Sequence, residues 1–198
     1  MGYTTTFDGF FTFNKPLNAD QIAYLKEFAK LRRCRINRKF FKKLSDPLRE
    51  KVGLPIGVEG EFCITQPDIT WDDVTDVNRP PLTQPDLWSK WEPTDDGTKL
   101  IWNGKEKFEG YTDWLIYYIR NFFIPWGYVL NGEMKYEGED KEDKGILIFK
   151  DNTLYDKCYI FKREDYTNDD GEESCKSTII GEKEPELLYE FKWRLKDN

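Results

Sequence analysis

Near each end of the chain, aromatic residues recur with a period of two, and that spacing constrains the fold more than any other feature. Tyr3, Phe7, Phe11 and Phe13 fall on one side of the period and Thr4, Thr6, Asp8 and Thr12 on the other, with Phe10 as the only interruption. Leu187, Tyr189, Phe191, Trp193 and Leu195 repeat the pattern, facing away from Glu190, Lys192, Arg194 and Lys196. A period of two belongs to a strand with one face on a core and one in water, the usual condition of an antiparallel sheet.

Helical spacing enters at two places. Asn18 and Gln21 read as an N-cap with its reciprocal partner, followed by an apolar stripe of Ile22, Leu25, Phe28 and Ala29. A second helix is predicted over residues 105–124, polar only along Glu109, Asp113 and Arg120 and ended by Pro125 and Gly127, so most of its surface must be buried. Further strands are predicted at 61–65, 128–137, 145–150 and 155–162, with Asp96-Gly97 turning a hairpin between 88–94 and 98–102, and residues 164–173 forming an acidic loop. The expected class is α+β, a mainly antiparallel sheet with two principal helices packed on one face and a C-terminal strand extension. No repeat or low-complexity linker divides the chain, so residues 1–198 read as one domain in which 154–198 is the β extension.

Composition narrows the chemistry. The chain contains no histidine, which removes Ser-His-Asp, Cys-His and histidine-based metal sites. Cys34, Cys63, Cys158 and Cys175 have no metal-knuckle or redox spacing and read as free thiols. No apolar run approaches the roughly 20 residues that span a bilayer, and the start carries no export signal, so the expectation is a cytoplasmic protein without a membrane partner. Met1-Gly2 with Thr6 is too short a motif to carry a lipid anchor. Charge is partitioned: residues 30–43 hold eight basic side chains and no acidic one, and taking that +8 from the net −7 leaves the rest at −15.

Several stretches together are specific: the Gly2-Tyr3-Thr4-Thr5-Thr6-Phe7 opening, Lys15-Pro16-Leu17, Leu54-Pro55-Ile56-Gly57, Arg79-Pro80-Pro81, Gln84-Pro85 with Leu87-Trp88 and Trp91, and Pro125 through Glu133. In them, residues 1 to about 153 resemble a family of small proteins of bacteria and their phages with no established function. The resemblance implies a shared fold and an intracellular or phage-borne origin, and it carries over no catalytic residues. The segment from Tyr155 onward departs from the family's ending.

Three functions are open to such a chain. The charge partition favours a non-catalytic macromolecule-binding protein, an inhibitor or adaptor, that meets a protein partner through Arg32, Arg33, Arg35, Arg38, Lys39 and Phe40 on an otherwise acidic body. Arg79, Trp88 and Trp91, in a tryptophan cluster with Trp71 and Trp102, are the second candidate surface. A nucleic-acid binder would use the same basic residues on phosphates with aromatic stacking on bases, against the repulsion of the acidic body. A divalent-metal-dependent phosphodiester hydrolase would need Asp72 or Asp73 to meet Glu137 or Glu139, with Arg79 on the phosphate. No cofactor is implied. Ser89 and Lys90 are adjacent, so on a strand they point to opposite faces and cannot act as a dyad.

Overall fold

A computed structural model describes residues 2–36, 45–65, 74–168, 170 and 172–191. Strand β1 (Thr5–Phe13) organises the sheet. It pairs along its whole length with β6 (Leu130–Gly138) and on its other edge with β5 (Lys99–Trp102). Phe11 and Phe13 are buried and Thr6, Asp8 and Thr12 face out, as the alternation requires. Phe10, the interruption, lies 43% exposed on the open face with the Lys99 ammonium 3.9 Å above its ring. The crossing of β1 and β6 is close because two glycines allow it. A Cβ on Gly9 (φ +122°) would stand 2.8 Å from the Glu133 carbonyl oxygen, and one on Gly132 (φ +128°) 2.9 Å from that of Phe10.

With β4 (Trp91–Pro93), β7 (Lys144–Lys150), β8 (Thr153–Thr167), β9 (Glu173–Glu182) and β10 (Glu186–Tyr189), the main sheet has eight strands in the order β10-β8-β7-β6-β1-β5-β4, and β9 pairs with β8 off this path. Every pairing is antiparallel. A separate ladder joins β2 (Arg35–Ile36) to β3 (Val74–Asp76).

Helix α1 (Ala19–Lys30) starts as expected: Gln21 N–H donates to Asn18 Oδ1 at 2.9 Å and Asn18 N–H to Gln21 Oε1 at 3.0 Å. Residues 61–65 are not a strand. The Ile64 and Thr65 amides donate to the Asp46 carboxylate at 2.8 and 3.4 Å, and that carboxylate also caps the short helix α2 (Pro47–Lys51). The second long helix begins later than its apolar pattern predicts. Gly104, Lys107 and Gly110 hold φ of 80°, 59° and 62°, and the buried Lys90 ammonium donates to the Glu106 and Lys107 carbonyls, so this stretch is a pinned loop and α3 covers Tyr111–Tyr118. A widened π-type turn over Ile119–Phe123 continues it, with Ile124 N–H on the Ile119 carbonyl at 3.0 Å. The extra residue in that turn brings Ile119, Phe122 and Phe123 all into the core.

Both long helices pack on one face of the sheet, and rings fill the space between. Phe122 meets Phe28 and Tyr118 edge-on, each at 5.1 Å, and Phe13 meets Phe123 at 4.9 Å. Polar tips are paired: Ser89 Oγ donates to Tyr118 Oη, which donates to the Trp91 carbonyl, and Trp91 Nε1–H donates to that of Tyr111. Among the described residues no helix is long and apolar enough to cross a membrane.

The C-terminal region departs from expectation in two respects. Strand β10 shifts register between Leu187 and Tyr189, so Leu187 is half exposed while Leu188 and Tyr189 turn to the core and the Arg120 guanidinium covers the Tyr189 ring at 4.8 Å. Trp193 and Leu195 lie outside the described residues. Half of the predicted acidic loop is ladder: Glu164, Asp165, Tyr166 and Thr167 pair with Lys176, Cys175, Ser174 and Glu173 of β9, a strand whose lack of alternation hides it.

Candidate functional site

Apart from the exposed Lys30, the described part of the basic segment turns toward the protein. Arg33 is 4% exposed. Its guanidinium donates to the Phe28 carbonyl at 2.8 Å and the Cys63 carbonyl at 3.1 Å and stacks 3.5 Å over the Phe28 ring; burial lowers its pKa. Arg35 donates to the Pro80 carbonyl at 3.0 Å and lies 3.9 Å from the Glu59 carboxylate. Arg32 donates to the Val77 carbonyl, and Lys30 pairs with Glu27. The three arginines staple the proline-rich crossing and Cys63 to the end of α1, so Arg33 is corrected from a surface contact to a buried clamp, and Arg32 and Arg35 are committed to internal acceptors. Arg38, Lys39 and Phe40 lie outside the described residues, as do Trp71, Asp72 and Asp73.

The second candidate surface comes apart. Trp91 has no exposed surface and belongs to the core, against Phe7 and Phe108, each at 5.1 Å. Trp88 is 36% exposed and walls an open cleft of about 390 Å³ with Ala29, Lys90, Lys105 and Lys107. Arg79 is 69% exposed, 3.5 Å from Asp76. The acids of the β6–β7 turn are each engaged: Glu137 with Lys144, Glu139 with the Thr4 amide, Asp140 with the Glu142 amide, and Asp143 with the Tyr3 hydroxyl. No cluster of three or more His, Cys, Asp or Glu suited to a metal occurs among the described residues.

What the structure adds is an arm. The last pair between β7 and β8 is Gly145 with Cys158. From Tyr159 onward, β8 continues with β9 as a two-stranded ribbon. Its side chains are mostly open to water, with Ile160 at 39%, Tyr166 and Ile179 at 50% and Ile180 at 62% exposure. The pairs Ile160 with Gly181 and Phe161 with Ile179 leave Ile180 as an extra residue, a bulge that twists the ribbon. One carboxylate ties the arm down: Glu142 accepts from Ser177 Oγ at 2.6 Å and Arg163 Nε at 2.9 Å, which together lower its pKa. Beneath the arm runs a cleft of about 380 Å³ bounded by Asp8, Lys135, Lys144, Tyr159 and Ile179. At its base Tyr136 donates to the half-buried Asp156 carboxylate at 3.1 Å beside the Cys158 thiol at 3.4 Å, and burial pushes the Asp156 pKa up.

The predicted strand at 155–162 reaches only the base of the arm, and the sequence trace of β9 is Ser177-Thr178-Ile179-Ile180, a β-favouring run without alternation. A ribbon wet on both faces has no core to impose that alternation. Comparison with known proteins finds no matching family model, curated protein or solved structure.

Proposed function

We propose that the protein is a non-catalytic protein-binding module, an inhibitor or adaptor, whose recognition element is the β8–β9 arm. The observation that carries this reading is the exposure of Ile160, Tyr166, Ile179 and Ile180 on a ribbon that stands clear of the aromatic core. Exposed apolar side chains grouped on a projecting element mark a surface to be covered. The resemblance to small proteins of bacteria and their phages belongs to the same proposal, with the arm as the addition that directs a common fold to its own partner.

The binding energy expected from the arm sets the size of the test. Full burial of an isoleucine is worth about 1.5–3 kcal/mol, and Ile179 and Ile180 have 50% and 62% of their surface left to cover, so losing both from an interface weakens binding by at least about 10-fold. The test isolates a partner from source cells on the immobilised chain, identifies it, and titrates it in pure form against the wild type and an Ile179→Asp/Ile180→Asp variant. The expected result is that loss with an unchanged unfolding midpoint. Equal affinities would remove the arm as the recognition element.

A further inference from the structure

The arm presents an edge as well as faces. In an antiparallel ladder, hydrogen-bonded pairs alternate with pairs whose amides and carbonyls point away from each other. The Asn168 amide donates to the Glu172 carbonyl at 2.9 Å, which puts that pair in the hydrogen-bonded set. Counting along the register, Tyr166 with Ser174, Glu164 with Lys176 and Lys162 with Thr178 belong to the same set. The residues between them, Cys175, Ser177 and Ile179, therefore aim their backbone groups outward, away from β8. Among the described residues no strand takes them up.

Natural sheets blunt such edges with short strands, prolines and bulges. The opposite edge of this sheet is blunted: β4 is three residues long and ends in Pro93. β9 is ten residues long, has no proline, and carries its bulge only at Ile180.

We infer that the outer edge of β9 pairs antiparallel with the same edge of a second copy of this chain, about a two-fold axis at Ser177. The outward groups require the axis to pass through a residue, and charge then selects which one. Centred on Ser177, Cys175 faces the second copy's Ile179 and Lys176 faces its Thr178, so no like charges oppose and an apolar pair flanks the axis on each side. Centred one residue earlier, the outward groups of Cys175 and Ser177 would still meet, but Lys176 would face its own copy, two like charges directly opposed. The arm's second open edge, β8 beyond Cys158, carries the charged run Lys162-Arg163-Glu164-Asp165, and β4 is short and ends in Pro93, both devices that blunt an edge, so among the described residues the best match for β9 is another β9, and that like-to-like contact closes as a dimer instead of propagating as a filament. The pairing turns two marginal two-stranded ribbons into one four-stranded sheet. It uses the edge and leaves the arm's faces open, so it stands or falls separately from the proposed recognition role.

Five paired residues per copy make an interface well below standard size, so the dimer is weaker than the roughly micromolar limit at which standard-size interfaces begin. Sedimentation equilibrium on the full chain should show the average mass rising from 23.6 kDa toward twice that value with concentration. Cys175→Pro removes an outward amide without touching the β8 ladder and should abolish the rise with an unchanged melting curve. Lys176→Pro removes an amide that serves β8 and should disorder the arm as well. In a Cys175→Ser background, Ser177→Cys sets two thiols across the axis and should give an oxidised, disulfide-linked dimer, whereas Ser174→Cys should not. A mass that stays at one chain up to about 1 mM, far above that limit, overturns the inference. So does a dimer that survives Cys175→Pro, or crosslinking that is equal at positions 174 and 177.

Discussion

Arg33→Glu is expected to destabilise the fold by about 3–5 kcal/mol, the range found when one partner of a buried charged arrangement is removed. The guanidinium is almost fully enclosed, donates to the Phe28 and Cys63 carbonyls and lies flat on the Phe28 ring. A carboxylate in its place loses both hydrogen bonds and the cation–π contact, and turns negative charge toward two carbonyl oxygens. Arg33→Met keeps the packing volume but strands the two carbonyls, and should cost less than the glutamate. Arg79→Glu should stay within about 0.5 kcal/mol, since its side chain is mostly in water. Urea denaturation with m held constant checks all three. An Arg33→Glu variant as stable as the wild type would return the basic segment to the list of surfaces.

Trp91→Ala should cost about 3–5 kcal/mol, the usual price of emptying a large aromatic site. The indole has no solvent exposure, sits between Phe7 and Phe108, and anchors the start of α3 through its N–H bond to the Tyr111 carbonyl. Its loss opens a cavity in the middle of the aromatic layer and removes the second donor to the Tyr111 carbonyl. Trp88→Ala, three residues away, removes a ring that already meets water, and should cost under about 1 kcal/mol. Comparable losses at the two positions would contradict the division of the tryptophans into one core ring and one surface ring.

The two tryptophans also show where sequence reasoning reaches its limit. A strand's alternation says which face a residue takes, and that was enough for Phe11 and Phe13, as the Asn18 and Gln21 capping pair was for the start of α1. It does not say whether the strand lies under a helix or beside a loop, and this separates Trp91 from Trp88. For the basic segment, charge density was legible but its acceptors were not, because backbone carbonyls of a proline-rich crossing have no sequence signature. The late start of α3 follows from Lys90 binding two loop carbonyls, a contact across 16 and 17 residues that no local pattern contains. The arm was hidden for the opposite reason: it buries so little that β9 shows no alternation, only the short run Ser177-Thr178-Ile179-Ile180, and acidic residues on its β8 half imitate a solvated loop.

The claim that the arm, and not the basic segment or the tryptophan surface, meets a partner is tested most directly by site-specific photo-crosslinking in source cells. A benzophenone side chain would replace Ile180, Arg35, Arg79 or Trp88 in turn, with crosslinked species identified by mass spectrometry. The account expects a covalent adduct with a different protein from position 180, distinguishable by mass from a dimer of the chain itself, and none from the other three. Adducts at positions 35, 79 or 88 with none at 180 would contradict it.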